Sequence, residues 1–336
     1  MKTGHRRGRH GLIEYLLIVA GVGILSGLTA ASVEAQKQQE VPQAKIKIGT
    51  PGPSLSYLPI QVALEKGLFK KRGIDIEYSQ FVPQISVAAV LNREVDYTTM
   101  PTPAATAVGK GAALKVIALI SLLQHSLIAQ PNIASPTDLI GKKIGIFRLG
   151  DITAFEAQFI VDKFHLGPQT ALLSLGLAEQ VLAAMKAKAV DAAIITSPQD
   201  IVAEDMGFRR LLNMGQLLQV PLGGVVASNE KIKNRPEEVL QVLKAMIEGL
   251  EFNKSHREEV IPIISKWVNL TPVQASRAYD AVKDTFSSYG VFSQEQTNNL
   301  LVILKATAGL REDITPSAIF DFSLVEQAAK ELKVKK

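Results

Sequence analysis

The sequence contains no cysteine among its 336 residues. This absence excludes disulfides, thiolate metal sites and cysteine nucleophiles, and it removes the residue that carries the lipid of a bacterial lipoprotein. A folded body of about 300 residues buries roughly 75% of the surface of its unfolded chain, so no cross-link is needed for stability. We therefore expect a protein that is stabilised by its hydrophobic core and carries no lipid anchor.

Charge is also scarce, with charged residues at 21% of the chain and a formal net charge of +5. The Lys and Arg residues are spread along the sequence, whereas nucleic-acid binding is typically indicated by dense basic stretches interleaved with aromatic residues. Hydrophobic residues make up 47%, which is ordinary for a globular α/β protein. We expect no nucleic-acid partner.

Sequence motifs of catalysis and metal binding are missing too. Outside the N-terminal segment, His125, His165 and His256 show neither the i, i+4 spacing nor the carboxylate motif of a metal site. No G-x-S-x-G or phosphate-loop motif occurs. We interpret the three histidines as surface or loop residues, and we expect no catalytic residue, no metal and no cofactor.

The first 35 residues have the pattern of a secretion signal. Residues 1–11 are basic, residues 15–31 are almost wholly apolar, and Val33, Glu34 and Ala35 form a small-x-small cleavage pattern. We predict a signal peptide at 1–35, a flexible polar leader at 36–44 and a periplasmic protein. The alternative is an uncleaved membrane anchor, because the apolar run approaches the ~20 residues that span a bilayer.

The rest of the chain alternates strand and helix patterns and then becomes purely helical. Two series of short strands and helices, at residues 45–122 and 144–196, predict two α/β lobes with parallel, helix-covered sheets. Beyond Ser228, five helical patterns predict a tail that packs around the first lobe. The expected lobes are 45–127 with 226–336, and 128–225, so that the chain crosses between them twice.

Three motifs resemble one family of binding proteins. The stretch ALEKGLFKKRGIDIE at residues 63–77 is similar to the A-x-x-x-G-L-F-x-x-x-G-L-D-V-E stretch of periplasmic binding proteins for alkylsulfonates, nitrate, taurine and thiamine-pyrimidine precursors. DLIGKKIG at 138–145 and AAMKAKAVDAA at 183–193 resemble further motifs, although Lys188 and Ala189 stand where that family usually has glycine. The resemblance covers about residues 45–324. It implies a type II periplasmic-binding-protein fold with two lobes and a two-segment hinge.

The resemblance also implies a function. We expect a solute-binding protein, a monomer, that captures a small polar or anionic organic molecule between the lobes. It would deliver this ligand to the permease of an ABC importer with its cytoplasmic ATPase. A ligand sensor for a membrane receptor is one alternative. The other is a relative of the thiamine-pyrimidine synthases, which share the fold but use a cysteine-rich motif that this chain cannot supply.

Candidate ligand-binding residues follow from the rule that open α/β sheets bind ligands at the carboxyl ends of their strands. The loops at those ends contain Thr50, Ser54, Ser56, Tyr57, Gln84, Thr99, Thr102, Ser121, Arg148, Gly150, Asp151, Thr153, Gly176, Thr196 and Ser197. Each Ser or Thr could instead cap a helix. Arg148 is the most suggestive, as a cation near a helix start. Asp151 could cap that helix, and it would disfavour a bare anion.

Overall fold

The computed structural model describes residue 1 and residues 44–308, 310–311 and 313–334. The predicted signal peptide and almost all of the predicted leader lie outside the described residues. The strands are β1 (Ala44–Thr50), β2 (Ile74–Gln80), β3 (Tyr97–Thr98), β4 (Leu114–Leu122), β5 (His125–Ala129), β6 (Lys143–Ile146), β7 (Ala171–Ser174), β8 (Ala192–Thr196), β9 (Arg209–Asn213) and β10 (Pro221–Ser228).

The α-helices lie between and after these strands. They are α1 (Leu58–Glu65), α2 (Pro83–Leu91), α3 (Pro101–Gly109), α4 (Ile152–Lys163), α5 (Ala178–Lys186), α6 (Gln199–Asp205), α7 (Met214–Leu218), α8 (Asn229–Asn234), α9 (Pro236–Ser255), α10 (Arg257–Trp267), α11 (Pro272–Val282), α12 (Gln294–Ala308), α13 (Pro316–Ile319) and α14 (Ser323–Glu331). None of the described helices is both long and apolar enough to cross a bilayer.

Two five-stranded sheets form the framework, in the orders β2-β1-β3-β10-β4 and β7-β6-β8-β5-β9. The strands at one side of each sheet are parallel, as predicted. However, β10 runs antiparallel to β3 and β4, and β5 runs antiparallel to β8 and β9. The prediction of purely parallel sheets is therefore wrong for the strands next to the two crossovers.

The chain passes from the first sheet to the second between Leu122 and His125 and returns between Leu218 and Pro221. The two crossovers run side by side, and the Leu123 N–H donates a hydrogen bond to the Val220 carbonyl at 2.8 Å. The predicted boundaries at 127/128 and 225/226 fall inside β5 and β10. We propose lobe 1 as residues 44–122 and 221–334, and lobe 2 as residues 125–218.

The C-terminal helices belong to the core of lobe 1. Buried side chains of α9, α10, α11 and α14 form one cluster with those of β1 and α1. Helix α9 approaches α1 so closely that a Cβ at Gly249 would lie 2.2 Å from the Pro59 carbonyl oxygen. The prediction that the helical tail packs around the first lobe is confirmed.

Lobe 2 buries both faces of its sheet, as expected for strands that carry helices on each side. On one face Ile144, Ile146 and Ile194 pack with Ala157 and Ile160 of α4. On the other face Ile128 and Ile195 pack with α5 and α6. The carboxyl end of this sheet is left for the loops that lead into those helices.

Contacts between the lobes also occur away from these sheets. Arg277 of α11 forms ion pairs with Asp205 and, at 2.9 Å, with Glu204, both on α6. Gln274 donates a further hydrogen bond to Asp205 at 2.8 Å. Hydrogen bonds from Gln274 and Arg277 hold the pKa of Asp205 below its usual value. This group of polar side chains therefore joins α11 of lobe 1 to α6 of lobe 2.

Two turns test the motifs that carry the resemblance. Gly67 and Gly73 have φ values of 66° and 71°, so both use the left-handed conformation at the ends of helical turns that the sequence predicts for them. Lys188, at the position where the family usually has glycine, has a φ of 56°. Lys188 thus adopts the left-handed conformation that glycine accommodates most readily.

Candidate ligand-binding cleft

A cavity of about 800 Å³ lies between the two lobes. Lobe 1 lines it with the segments after β1 and β3, the start of β10 and one face of α12. Lobe 2 lines it with the turns that follow β6, β7 and β8, and with His125 at the start of β5. The volume lies within the range of about 300–1,000 Å³ that is typical of small-molecule sites.

Most of the lining surface is apolar. The side chains of Met100, Leu222, Ile303 and Leu304 come from lobe 1, and those of Phe147 and Ile152 from lobe 2. Such a lining stabilises a ligand chiefly by removing apolar surface from water, at roughly 25 cal/mol per Å². The few polar groups of the cavity then determine which ligand fits and how it is oriented.

The turn before α1 contributes hydroxyls from lobe 1. Ser54 accepts a hydrogen bond from the Ser56 N–H at 3.3 Å and so caps a short 3-10 helix. Thr50 lies behind this turn, where its hydroxyl donates to the Tyr57 hydroxyl at 2.5 Å. Burial raises the pKa of Tyr57, and the hydrogen bond from Thr50 only partly opposes this shift. Tyr57 is therefore a neutral hydroxyl at the cavity wall.

Two threonines line the cavity beyond β3, namely Thr99 directly after the strand and Thr102 in the first turn of α3. The Oγ1 atoms of Thr99 and Thr102 are buried and have no hydrogen-bond partner among the described residues. A buried polar group without a partner costs about 1–3 kcal/mol, so these atoms are suited to a ligand or a bound water. Pro101 and Pro103 flank Thr102 in the first turn of α3 and remove backbone N–H groups there.

Asp151 caps α4, which is one of the two roles that the sequence allows for it. Its Oδ1 accepts hydrogen bonds from the N–H groups of Thr153 and Ala154, at 2.8 and 3.2 Å, and from the Thr153 hydroxyl at 2.6 Å. The Thr153 hydroxyl in turn accepts from the Phe147 N–H at 2.8 Å. Because these donors are occupied, the N-terminus of α4 has fewer N–H groups to offer an anionic ligand.

A buried ion pair that the sequence did not reveal lies beside this cap. His125 is only 4% exposed and Glu156 of α4 is fully buried. The Nδ1 atom of His125 and the Oε2 atom of Glu156 are 2.6 Å apart. The interpretation of His125 as a surface or loop residue is wrong, because β5, which begins at His125, is buried along its whole length. His165 and His256 are exposed, as expected.

The environment of the pair shifts both of its groups. Burial alone would lower the pKa of His125, but the Glu156 carboxylate, with smaller contributions from Asp151 and Asp200, raises it above its usual value. Burial raises the pKa of Glu156, and His125 opposes that shift. Since the two groups interact this closely, they titrate as one unit that keeps its proton to higher pH than an exposed histidine would.

The predicted site residues divide into those on the cavity and those behind or beside it. Eight line it: Ser54, Ser56, Tyr57, Thr99, Thr102, Gly150, Asp151 and Thr196. Six do not: Thr50, Ser121, Arg148, Thr153, Gly176 and Ser197. The side chain of Gln84 lies outside the described part of the chain.

The residues off the cavity have other positions. Ser121 is buried and its hydroxyl accepts from the Gly223 N–H at 3.3 Å. Ser197 is also buried, and its hydroxyl has no partner among the described residues. Arg148 is exposed. Arg148, the candidate that the sequence analysis rated most suggestive, is therefore not part of the cavity lining.

Other lining residues were not predicted from the sequence. His125, Glu179, Gln199 and the face of α12 with Ile303 and Thr307 all reach the cavity. Helix α12 begins more than two hundred residues after the first loop of the site, so no local pattern predicts its place there. Glu179 comes shortly after a predicted strand and its turn, and this position at the carboxyl end of a strand could have identified it as a candidate.

No set of three or more His, Cys, Asp or Glu side chains in the described residues is arranged to hold a metal ion. Comparison with known proteins was more informative. Residues 55–260, more than half of the chain, match the family described as NMT1/THI5-like. The chain belongs to the NMT1/THI5-like family. No significant match to this NMT1/THI5-like protein was found among curated protein sequences.

Solved structures share the fold of this NMT1/THI5-like protein. The periplasmic sulfonate-binding protein SsuA of an ABC transporter of Methylobacillus flagellatus superimposes with a TM-score of 0.71 at 17% identity, covering 88% of this chain and 96% of SsuA. The periplasmic nitrate-binding protein NrtA of Synechocystis gives 0.70 at 15% identity, with 87% and 90% covered.

A third structure, DszB in complex with biphenyl-2-sulfinic acid, gives a TM-score of 0.66 at 12% identity, with 85% and 99% covered. At these identities the likeness shows the fold. The predicted type II periplasmic-binding-protein fold and the resemblance to the sulfonate- and nitrate-binding family are confirmed.

Proposed function

We propose that this protein is an extracytoplasmic solute-binding protein that captures a small organic molecule between lobes 1 and 2. It delivers that molecule to an ABC-type import permease with a cytoplasmic ATPase. The observation that carries the proposal is the cavity of about 800 Å³ with walls from both lobes. Unpartnered buried polar atoms lie on each wall, namely Thr99 and Thr102 Oγ1 in lobe 1 and Gln199 Oε1 in lobe 2.

A ligand that contacts both walls favours the arrangement in which they face each other, because binding energy shifts a conformational equilibrium toward the state that binds better. The two adjacent crossovers, at 122–125 and 218–221, are the expected place for such a motion. The relatives with known binding roles, SsuA and NrtA, share this two-lobed construction. We also propose that the protein acts as a monomer.

The cellular location is part of the same proposal. The relatives SsuA and NrtA are described as periplasmic. The basic, apolar and small-x-small segments of residues 1–35 are typical of a cleaved secretion signal. We therefore propose that the protein is exported, begins near Gln36 after cleavage and is not a lipoprotein.

An enzyme is the second candidate, because DszB, an enzyme, shares the fold and because His125 and Glu156 form a hydrogen-bonded acid-base pair on the cavity. A receptor-coupled sensor would use the same cleft as a transport protein. The partner and the fate of the ligand therefore separate the three functions.

The test starts with the protein expressed from its full coding sequence and stripped of ligand. A thermal-shift screen against sulfonates, nitrate, pyrimidines, aromatic amides and amines identifies a ligand, since one present at about 100 times its Kd adds about 2.7 kcal/mol of stability. Ligand recovered unchanged by mass spectrometry, together with capture of an ABC permease from solubilised membranes, supports the proposal. A converted product indicates the enzyme, and capture of a receptor without a permease indicates the sensor.

A further inference from the structure

His125 is a buried polar residue of the cavity whose hydrogen-bonding capacity the fold uses only on one side. Its Nδ1 is bound to Glu156 Oε2 at 2.6 Å. Its Nε2 has no hydrogen-bond partner among the described residues, although the residue is 4% exposed and lines the cavity. The Nε2 atom is therefore available to a ligand, and the hydrogen bond at Nδ1 fixes the orientation of the ring.

The groups around the ring favour a proton on it. Glu156 and Asp151 face it from α4 and its cap, and Asp200 faces it from α6. Asp200 is itself paired with Arg210 of β9 at 2.8 Å, so its charge is largely neutralised. With the proton retained, Nε2 carries a hydrogen and acts as a donor; the ion pair as a whole is neutral.

The same cavity offers little to an anion. Asp151 occupies the Thr153 and Ala154 N–H groups of α4, and Pro101 and Pro103 remove N–H groups from the first turn of α3. Glu179 adds a second carboxylate to the lining, in the first turn of α5. The cation on the lining, Lys110, is exposed. The Asp151 and Glu179 carboxylates therefore disfavour a sulfonate or carboxylate, whereas the charge of a protonated His125 is balanced by Glu156.

On the opposite wall the unpartnered hydroxyls are neutral. Thr99 and Thr102 can each donate or accept one hydrogen bond, and the surrounding lining of Met100, Leu222 and Ile303 is apolar. A ligand that matches both walls has an apolar body and an uncharged polar group.

We propose that the ligand is an uncharged, largely apolar organic molecule with a carbonyl-type acceptor, which accepts a hydrogen bond from Nε2–H of His125 while Glu156 acts as the positioning residue. This inference rests on the proposed function of the cavity as the ligand site. It names the chemical class of that ligand.

A matched set of naphthalene compounds tests the class. The probes 2-naphthamide, 2-naphthoate, naphthalene-2-sulfonate and 2-naphthylmethylamine share one apolar body and carry a neutral, an anionic, an anionic and a cationic substituent, respectively. Calorimetry on the full-length expression product should give an affinity for the amide about tenfold or more above the others, the factor that corresponds to about 1.4 kcal/mol. Tighter binding of either anion or of the amine overturns the inference, as does binding of none of the four.

The inference and the proposed function fail separately. If a sulfonate binds in the cavity and the permease is captured, the solute-binding function stands and the uncharged-ligand class is overturned. If the amide binds as expected but is converted to a product, the ligand class stands and the solute-binding function falls.

The role of the ring is tested by pH. The Kd of 2-naphthamide should be constant at low pH and should rise as the pH passes through the raised pKa of His125, because the deprotonated ring presents Nε2 as an acceptor. In Glu156→Gln the carboxylate that raises this pKa is gone while burial still lowers it, so the rise in Kd should move to lower pH.

Asp162→Asn is the matched control, since it neutralises an exposed carboxylate of the same helix, α4, that does not line the cavity, and the midpoint of its profile should stay near that of the wild type. A Kd for the wild type that does not change with pH overturns the role of His125, whether or not Glu156→Gln folds. An unshifted profile in folded Glu156→Gln overturns the role of Glu156.

Discussion

The two walls of the cleft use different chemistry. Lobe 1 offers hydroxyl groups, led by Thr99 and Thr102, which are neutral across the whole physiological pH range. Lobe 2 offers titratable groups, His125, Asp151 and Glu179. We therefore expect the lobe 1 wall to select a ligand chiefly by shape and hydrogen bonds, with the exposed Lys110 as its charged residue, whereas the histidine and the carboxylates of the lining come from lobe 2.

We expect the largest effect when the buried His125–Glu156 pair of lobe 2 is disrupted. His125→Leu leaves the Glu156 carboxylate buried without its partner, and removing one member of a buried pair costs about 3–5 kcal/mol. The free energy of unfolding from urea titration should fall by that amount. The exposed histidine variant His165→Leu is the control and should unfold like the wild type.

The double variant His125→Leu with Glu156→Leu sharpens this result. Replacing both members by apolar residues removes the unpaired charge, so it should recover most of the loss. A double variant that is as unstable as His125→Leu would show that packing, and not the charge, explains the cost.

A smaller effect is expected at the cap of α4. Asp151→Ala removes the acceptor for the Thr153 and Ala154 N–H groups. The loss of an N-cap lowers the free energy of unfolding by about 0.5–2 kcal/mol. Thermal or urea unfolding measures the loss, and Asp151→Asn should retain most of the stability because Asn caps equally well. If Asp151→Asn is as unstable as Asp151→Ala, the charge matters more than the cap.

In the lobe 1 wall, we expect a substitution to raise the free energy of unfolding, whereas the substitutions in lobe 2 lower it. Thr99→Val removes a buried hydroxyl without a partner, so stability should rise by about 1 kcal/mol while ligand affinity falls. Thr98→Val is the matched control, because the Thr98 hydroxyl is also buried without a described partner but does not line the cavity. It should gain stability and leave the Kd unchanged. Equal loss of affinity in both variants would remove Thr99 from the site.

The smallest effect is expected at Arg148. Because this side chain is exposed and off the cavity, Arg148→Ala should leave both the melting temperature and the Kd unchanged within error. A loss of affinity of tenfold or more, measured by calorimetry with the screened ligand, would place Arg148 in the site after all.

The fold was predictable because its signals are local. Five helical patterns were predicted beyond Ser228, and they correspond to the helices α9, α10, α11, α12 and α14. Proline at the starts of α9 and α11 and the helical spacing are features of neighbouring residues and can therefore be recognised in the sequence. The short helices α8 and α13 were not predicted. Strands β5 and β9 were missed. Strand β5 follows β4 after only two residues and therefore reads as the same apolar run.

The site was predictable only where it follows the ends of strands. The loops after β1, β3 and β6 contain predicted residues that line the cavity, namely Ser54, Thr99 and Asp151. Their contact with a ligand stays a prediction. His125 was missed because it lies at the start of an antiparallel strand, which reaches the same edge of the sheet from the other direction. The partner that makes it informative, Glu156, is 31 residues away and is brought near only by folding.

The close contact between α9 and α1 implies that residues outside the cleft influence ligand affinity. Gly249 allows α9 to rest directly against the backbone at Pro59, and α1 begins immediately after the turn that carries Ser56 and Tyr57. The position of that turn relative to the cavity therefore depends on Gly249, which does not line the cavity. Random libraries selected for tighter or altered uptake should therefore yield substitutions along this helix-helix seam as well as at the mouth of the cleft.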